Sequence, residues 1–289
     1  MLLCEAEIDS NKYYFCDMTR RRWLINNTTR TTRKRRSGGV TIKSAKELEL
    51  MRQAGKVVAQ AKAKMREATR PGITTGELDR IAEEEILRLG AIPSFKGYAP
   101  GGATPFPATI CASLNEEIVH GIPGSRVLRE GDILSVDIGA IVGGFHGDSA
   151  FTVGVGEISE EAQRLIDATE EALKQGIAQV KAGARVGDIS SAVQQYAESL
   201  GYSVVRQYVG HGIGRDMHGE PQVPNYGAPG RGFLLRKGMA IAIEPMLNIG
   251  GWETVQLDDG WTVATADGSL SAHFEDTVAI TENGIEVLT

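Results

Sequence analysis

The strongest constraint on the fold of this chain is a repeat within it. Two glycines, an acidic residue and the aliphatic residue after it occur in residues 71–78 and recur at the same offset in residues 182–189. The repeated segments keep the same order, with 71–78 matched by 182–189, 89–90 by 200–201, and 131–137 by 238–244. Both members of the last pair are apolar runs that end in a carboxylate. Such self-similarity predicts two similar halves that pack about a pseudo-twofold axis.

Local patterns between the repeated segments predict helices and strands. Ser44 and Thr74 each precede a glutamate by three residues, which is the capping-box spacing that begins a helix. Apolar residues follow both at helical intervals, and a turn residue ends each run. Helices are predicted from 44 to the turn at 71–72, from 74 to 90, over about 159–181, and from 188 to near 201. Strands are predicted over 108–113, 133–138, 150–155, 203–208, 240–243, 261–265 and 277–281.

Composition excludes several classes of protein. The chain has 289 residues, of which 42% are hydrophobic, enough for a large core. No apolar run reaches the roughly 20 residues that a membrane span needs. Cys4, Cys16 and Cys111 include no Cys-X-X-Cys pair, so no disulfide framework is expected. Free thiols fit a reducing compartment, and the cytoplasm is the predicted location.

Charge separates the start of the chain from the rest. Residues 1–39 hold nine lysines and arginines against four acidic residues, a net charge of +5, whereas the whole chain carries −6. One interpretation is a basic arm that binds RNA, with the ribosome as the candidate partner. The other, which we favour, is a disordered and dispensable head, with Met18 as an alternative start. We therefore divide the chain into a basic extension over 1–39 and one folded domain over 40–289.

Four carboxylates come from corresponding places in the two halves. Asp137 and Glu244 end the paired apolar runs, whereas Asp148 and Glu275 lie in similar His-X-acid motifs. A pseudo-twofold axis would bring all four together, and their mutual repulsion would raise their pKa values. Two divalent cations bridged by carboxylates relieve such repulsion and form a known hydrolytic site. The alternative is that the acids face solvent at strand ends, but the apolar runs before Asp137 and Glu244 favour partial burial.

Histidine is scarce, and two of the five histidines share a glycine-rich segment. His211 and His218 lie within residues 210–218, which contain three glycines. A single histidine is more often structural than a ligand. Glycine neighbours change that weighting, because they let backbone approach a site closely, and neutral imidazole suits a divalent transition metal. His120, which Gly121 follows, lies at a similar turn.

These motifs together give the chain a resemblance to a known family. They are residues 106–115 running on to His120-Gly121-Ile122-Pro123, Asp137 with His146-Gly147-Asp148, residues 210–218 with Asn225-Tyr226 behind them, Ile243-Glu244-Pro245-Met246, and Ser271-Ala272-His273-Phe274-Glu275. Over about residues 41–289 the chain resembles a type I methionine aminopeptidase of the pita-bread metallopeptidase fold. The resemblance implies an α+β fold in which two pseudo-symmetric helix–helix–strand halves surround a central antiparallel sheet. Residues 40–289 would then form the catalytic domain.

The resemblance also implies a ligand set for two divalent ions, which could be Co, Mn, Fe or Zn. The five ligands would be Asp137, Asp148, His211, Glu244 and Glu275. Asp148 and Glu275 would bridge the ions, Asp137 would bind one of them, and His211 with Glu244 would bind the other. Glu244 would also act as the general base for a metal-activated hydroxide.

Other residues would handle the substrate. His120 would move protons near the substrate amine and the leaving group, and His218 would hydrogen-bond the scissile amide oxygen. The methionine side chain would lie in an apolar pocket made by Phe106, Cys111, Met217 and Trp261. The alternative for Cys111 and Met217 is plain core packing, since both are adaptable apolar residues.

Two places depart from the commoner forms of the family. Residues 98–105 begin with Tyr98 but contain no Cys and no second Tyr, the residue types that often line the mouth of the methionine pocket, which predicts a different pocket shape. His273 stands where Gln is common, and we expect it to alter the surroundings of Glu275.

The implied function is removal of the initiator methionine from nascent polypeptides whose second residue is small. The enzyme would act on polypeptide N-termini as a cytoplasmic monomer, with no DNA or membrane partner. A Pro-specific peptidase of the prolidase or aminopeptidase P type is one alternative, but those usually carry a sizeable N-terminal domain, for which residues 1–39 are too few. A catalytically silent pita-bread binding module is the other, and such proteins lose ligands that this chain retains.

Overall fold

The computed structural model describes residues 39–289, so the prediction of a basic extension over 1–39 falls, except for Gly39, outside the described residues. The helices are α1 (Ala45–Ala68), α2 (Thr75–Arg88), α3 (Glu160–Ile177) and α4 (Val186–Ser199). The strands are β1 (Ile92–Pro93), β2 (Ile110–Leu114), β3 (Glu117–Val119), β4 (Ile133–Val142), β5 (Phe145–Gly154), β6 (Ser203–Val204), β7 (Gly210–Gly212), β8 (Gly219–Val223), β9 (Ala240–Ile243), β10 (Met246–Asn248), β11 (Thr254–Gln256), β12 (Val263–Thr265), β13 (Ser271–His273), β14 (Glu275–Thr281) and β15 (Gly284–Val287).

Corresponding glycines adopt the same left-handed backbone in the two halves. Gly72, before α2, has a φ of 92°, and Gly183, before α4, has a φ of 91°. Glycine enters this region without the steric cost that a β-carbon imposes. Their amides donate to equivalent carbonyls, Gly72 to Leu128 and Gly183 to Leu235, each at 2.9 Å. The repeat read from the sequence is therefore a structural repeat, and the two predicted halves are present.

The helices follow the predicted pattern, with two differences at their ends. The capping boxes of α1 and α2 are both formed. α4 begins at Val186 rather than after Asp188, because a carboxylate oxygen of Asp188 accepts from the Arg185 amide at 2.8 Å and caps the helix from within its first turn. α3 ends at Ile177, whose carbonyl accepts from the Val180 amide in a turn. Among residues 39–289, none of the helices is both long and apolar enough to cross a membrane.

The central sheet carries the candidate site on the face that α1 leaves open. Its strands run in the order β1-β4-β5-β14-β9-β7-β8, with β2 beside β4 and β15 beside β14, and the paired strands are antiparallel. Gly147 of β5 lies so close to α1 that a β-carbon there would be 2.8 Å from the amide nitrogen of Gly55. Because successive strand residues point to opposite faces, Asp148 points away from α1.

Two of the predicted acids lie inside strands rather than at strand ends. β4 continues to Val142 and β5 begins at Phe145, because these two strands pair along their whole length. Asp137 is consequently in the middle of β4, and Asp148 is within β5. The long pairing fixes the backbone on both sides of each acid, which a position at a strand end would not do.

The strand predicted over 203–208 is shorter than expected. β6 ends at Val204 and pairs with β10 in a separate three-stranded sheet, and the Val205 amide makes one more bond, to the Met246 carbonyl, at 3.0 Å. The next residue, Arg206, has its guanidinium 4.6 Å from the centroid of the Trp252 ring in a cation–π contact.

Candidate active site

Three of the predicted metal ligands lie on one face of the central sheet. In the register of β4, β5 and β14, Asp137 is opposite Ala150, and Ala150 is opposite Glu275. Residues directly opposite one another in an antiparallel pair share a face of the sheet. Asp148, two residues from Ala150 along β5, shares that face as well. The sheet therefore directs all three carboxylates into one space above Ala150.

The other two predicted ligands close the group from β9 and β7. Glu244 follows β9 directly, and continuation of the β9–β14 register puts it opposite Glu275. His211 lies within the short strand β7 rather than in a turn, and its Nε2 is 3.7 Å from Asp148 Oδ2 and 3.6 Å from Glu244 Oε1. One donor atom from each of Asp148, His211 and Glu275 lies within 4.8 Å of the others, close enough to share a cation.

The glycines on either side of His211 are required by close backbone packing. A β-carbon on Gly210 would collide with the carbonyl oxygen of Ala242, and one on Gly212 would collide with that of Glu220. His211 Nδ1 is 3.1 Å from the Gly212 carbonyl oxygen. Because a carbonyl oxygen only accepts, this bond puts the ring proton on Nδ1 and leaves the lone pair of Nε2 facing the carboxylates.

Burial changes the proton affinity of this group. Desolvation raises the pKa of Asp137 to about 7, and desolvation with the neighbouring carboxylates raises the pKa values of Asp148, Glu244 and Glu275 well above the ordinary range. Asp137 Oδ1, Asp148 Oδ1 and Glu275 Oε1 are buried and have no hydrogen-bond partner among residues 39–289. Buried carboxylate oxygens without donors are costly unless a cation binds them. The residues present therefore fit divalent metal ions.

The imidazole completes a mixed oxygen and nitrogen donor set. Burial lowers the pKa of His211 to about 3, so its ring is neutral at neutral pH and can bind a metal. One neutral imidazole with several carboxylates accepts Mn(II), Fe(II), Co(II) or Zn(II).

Hydroxyl groups fix the backbone of the two strands that carry Asp148 and Glu275. The Thr277 hydroxyl donates to the Asp148 carbonyl at 2.8 Å and accepts from the Asp148 amide at 3.1 Å. The Ser149 hydroxyl donates to the Glu275 carbonyl and accepts from Lys62 Nζ, each at 2.6 Å. These residues were not singled out from the sequence. The feature of the sequence that could have indicated them is a polar residue directly after an acidic one within a strand. Ser149 follows Asp148, and Thr277 follows Asp276.

The four residues predicted to bind a methionine side chain meet in one apolar cluster. They are Phe106, Cys111, Met217 and Trp261. The rings of Phe106 and Trp261 pack edge to face with centroids 5.2 Å apart. Cys111 is opposite Asp137 in the β2–β4 register, so the cluster borders the carboxylates. Phe95 belongs to the same cluster and was not predicted.

The two histidines predicted to act on the substrate both contact aromatic residues that pack in or against this cluster. His120 has a φ of 61° at its turn, and its ring meets Trp261 edge to face with centroids 6.1 Å apart. His218 is exposed, with its ring centroid 4.4 Å from that of His211. Desolvation lowers the pKa of His120 to about 4, so it is neutral at neutral pH.

Two residues of the site have neighbours that the sequence did not indicate. His273, expected beside Glu275, is buried with its Nε2 3.9 Å from Glu244 Oε2. Tyr98 begins the segment over 98–105 that departs from commoner forms, and its hydroxyl oxygen is 2.6 Å from His218 Nδ1. No local pattern connects Tyr98 with His218, because 120 residues separate them.

Comparison with known proteins decides the family. The model of Metallopeptidase family M24 matches residues 49–282, which include all the candidate site residues. The chain is 55% identical over 251 residues to the methionine aminopeptidase of Clostridium acetobutylicum, which covers 86% of this chain and 98% of that protein. The chain belongs to metallopeptidase family M24, among the methionine aminopeptidases. The predicted metal-dependent aminopeptidase, with divalent metal ions as its cofactors, is thereby confirmed.

Other members of family M24 separate the two peptidase alternatives. Methionine aminopeptidase 1 of Bacillus subtilis is 52% identical over 250 residues, 86% of this chain and 99% of that protein. The crystal structure of methionine aminopeptidase from Thermotoga maritima superposes with a TM-score of 0.84 at 47% identity, covering 87% of this chain and 99% of that one. Prolidase from Pyrococcus furiosus shares the fold, with a TM-score of 0.69 at 23% identity over 86% of this chain and 65% of that one. The pita-bread fold is confirmed, and methionine aminopeptidase is favoured over the Pro-specific and silent alternatives.

Proposed function

We propose that this M24 peptidase removes the initiator methionine from nascent polypeptides whose second residue is small. The observation that carries the proposal is that the apolar cluster lies next to the four buried carboxylates. Cys111 of the cluster is directly opposite Asp137 in the β2–β4 register. A methionine side chain in the cluster would hold the scissile amide beside the carboxylates.

Charge balance supports two divalent ions rather than one. Two such ions would carry as much positive charge as the four ionised carboxylates carry negative, which offsets the desolvation and then the mutual repulsion that raise the pKa values of the carboxyl groups. Asp148 and Glu275, in the centre of the group, would contact both ions. Asp137 would bind on one side, with His211 and Glu244 on the other. When bound, the ions supply an activated water and polarise the substrate.

The chain's own residues would move the protons and hold the substrate. The Glu244 carboxylate would take a proton from the attacking water, since nearby positive charge lowers its pKa and leaves it ionised. His218 would donate through Nε2 to the scissile amide oxygen and stabilise the charge that develops there. His120, on the side of Trp261, would move a proton at the amino end of the leaving group.

The shape of the site accounts for the proposed selectivity. The apolar cluster suits an unbranched thioether side chain, and the acidic surroundings suit the free α-ammonium group of a polypeptide N-terminus. His120 beside Trp261, and His218 bonded to Tyr98, border the cluster and would leave space for only a small second residue. We further propose that the protein acts as a monomer in the cytoplasm, where a thiol such as that of Cys111 stays reduced.

Peptide hydrolysis by the full chain tests the proposal. The metal-loaded protein should release methionine from Met-Ala-Ser, and a chelator should abolish the activity. Asp148→Asn should lower kcat/KM by about 100-fold or more through weaker metal binding, whereas Asp167→Asn, on the exposed side of α3, should not change it. Absence of methionine release by the metal-loaded protein would overturn the proposal.

A further inference from the structure

Tyr98 lies at the base of an exposed loop whose two ends are tied together. The Tyr98 amide donates to the Phe95 carbonyl at 2.8 Å, and the Phe106 amide donates to the Tyr98 carbonyl at 2.9 Å. The Gly97 amide donates to the Phe106 carbonyl at 2.8 Å on the same side. Residues 99–105, between these bonds, are exposed, but the backbone of Tyr98 itself is fixed against the apolar cluster.

The fixed position of Tyr98 brings its hydroxyl to His218. The hydroxyl oxygen is 2.6 Å from His218 Nδ1, and the two ring centroids are 5.2 Å apart. Among residues 39–289 neither the hydroxyl nor the ring of His218 makes another hydrogen bond. An exposed histidine ring without this bond would be free to rotate and to exchange its two neutral tautomers.

We infer that Tyr98 is a positioning residue that donates its hydroxyl proton to Nδ1 of His218 and thereby keeps the ring proton on Nε2. The inference rests on the proposed function, in which that Nε2–H donates to the scissile amide oxygen. With the opposite polarity, Nδ1–H would donate to the phenol oxygen and Nε2 would carry only a lone pair. Such a ring could not stabilise a developing negative charge on the amide oxygen.

The state of the phenol agrees with this polarity. Desolvation raises the pKa of Tyr98 above its ordinary value, so the hydroxyl keeps its proton at neutral pH. Nδ1 of His218 is the acceptor that the described residues offer to this proton, and in the proposed polarity the phenol donates to it. The bond between Tyr98 and His218 thus connects the loop over 98–105 to the histidine that is proposed to contact the substrate.

The tautomer of His218 can be measured directly in the zinc-loaded full chain. Two-bond ¹H–¹⁵N spectra of protein with labelled histidine distinguish Nε2–H from Nδ1–H, and His218→Asn identifies the signals of that ring. We expect the Nε2–H tautomer in the wild-type protein and a mixture of tautomers in Tyr98→Phe, which keeps the ring and its packing. Tyr202→Phe, remote from the site after α4, is the matched control and should leave the spectrum unchanged.

Kinetics give the second readout. Tyr98→Phe should lower kcat for Met-Ala-Ser by about tenfold with KM within about twofold of wild type, because the lost bond acts on the transition state. Nδ1–H in the wild-type protein, or a His218 spectrum unchanged by Tyr98→Phe, would overturn the inference. If the wild-type protein does not hydrolyse the peptide, the proposed function fails, and the spectra still decide whether Tyr98 sets the tautomer.

Discussion

Asp137 of β4 and Glu275 of β14 face each other across a single residue of the intervening strand, Ala150. Neighbouring strands are about 4.8 Å apart, so the backbones of the two acids are about 10 Å apart and their carboxylates converge above one methyl group. A small side chain in the middle strand therefore provides the space in which cations can bind.

Enlarging this residue should block the metal site. Ala150→Val would place two methyl groups between Asp137 and Glu275, and we expect metal affinity to fall along with a loss of about 1–3 kcal/mol of stability from overpacking. Ala279→Val adds the same volume farther along β14, where Ala279 is buried in an apolar cluster with Leu48 and Met51 of α1. The control should lose stability but keep metal affinity, and calorimetric titration with Mn(II) distinguishes the two. Equal metal affinities in the two variants would contradict the role given to Ala150.

We expect His211 to bind metal and His120 to act on the substrate without binding metal. His211→Ala should lower metal affinity and rate together, since its Nε2 faces Asp148 and Glu244. His120→Ala should lower kcat by about 10²–10⁴-fold, the usual range for acid–base help, with metal content nearly intact. Calorimetric metal titration in parallel with turnover measures both. Loss of metal from the His120 variant and retention by the His211 variant would show that the roles are reversed.

Metal-free protein should lose stability as pH rises from about 6.5 to 7.5. With a pKa raised to about 7, Asp137 retains a proton in the folded state that it has released in the unfolded state, where its pKa is near 3.8. That stabilisation is complete below the unfolded pKa and disappears as pH rises through 7. The lowered pKa values of the buried histidines act in the opposite direction, but only below their ordinary value of 6.5.

Thermal unfolding in chelator and in Mn(II) measures this dependence. Bound metal keeps Asp137 ionised, so the slope should be absent in the metal-loaded protein. Asp137→Asn should reduce the slope in chelator. The same slope with and without metal would contradict the assignment of Asp137 to the metal group.

Deletion of residues 1–39 should leave peptide turnover nearly unchanged. All the candidate site residues lie between Phe95 and Glu275, within the part of the chain that matches family M24. We expect kcat/KM for a tripeptide to change by less than about tenfold, which is roughly 1.4 kcal/mol. A larger loss would show that the basic segment shapes the site. If that segment instead binds ribosomal RNA, its deletion should weaken a salt-sensitive association with ribosomes.

The sequence was most informative where backbone geometry dictates residue type. Gly72 and Gly183 recur because both occupy a left-handed turn before a helix, and this recurrence was enough to predict two similar halves. The acids were visible for a related reason, since a carboxylate in an apolar run requires a partner. Strand limits were less visible, because Asp137 interrupts an apolar pattern that β4 continues to Val142.

Contacts between distant side chains could not be read from the sequence. The bond between Tyr98 and His218 depends on the path of an exposed loop, and the approach of His273 to Glu244 depends on how β13 and β9 end. Neither relationship has a spacing or a periodicity, because each is set by tertiary packing. The hydroxyl of Thr277, which bonds both backbone groups of Asp148, is a similar case.

The specificity of hydrolysis tests the central claim most directly. The measurement is kcat/KM of the metal-loaded full chain on peptides that vary the first two residues, with products identified by mass spectrometry. Met-Gly, Met-Ala and Met-Ser peptides should be cleaved at least about tenfold better than Met-Leu, Met-Lys and Leu-Gly peptides. The proposed reasons are that the cluster around Phe106 and Trp261 admits a methionine side chain and that the space beside His120 and His218 admits only a small second residue. Preference for proline over glycine at the second position, or efficient cleavage after leucine, would contradict the assignment.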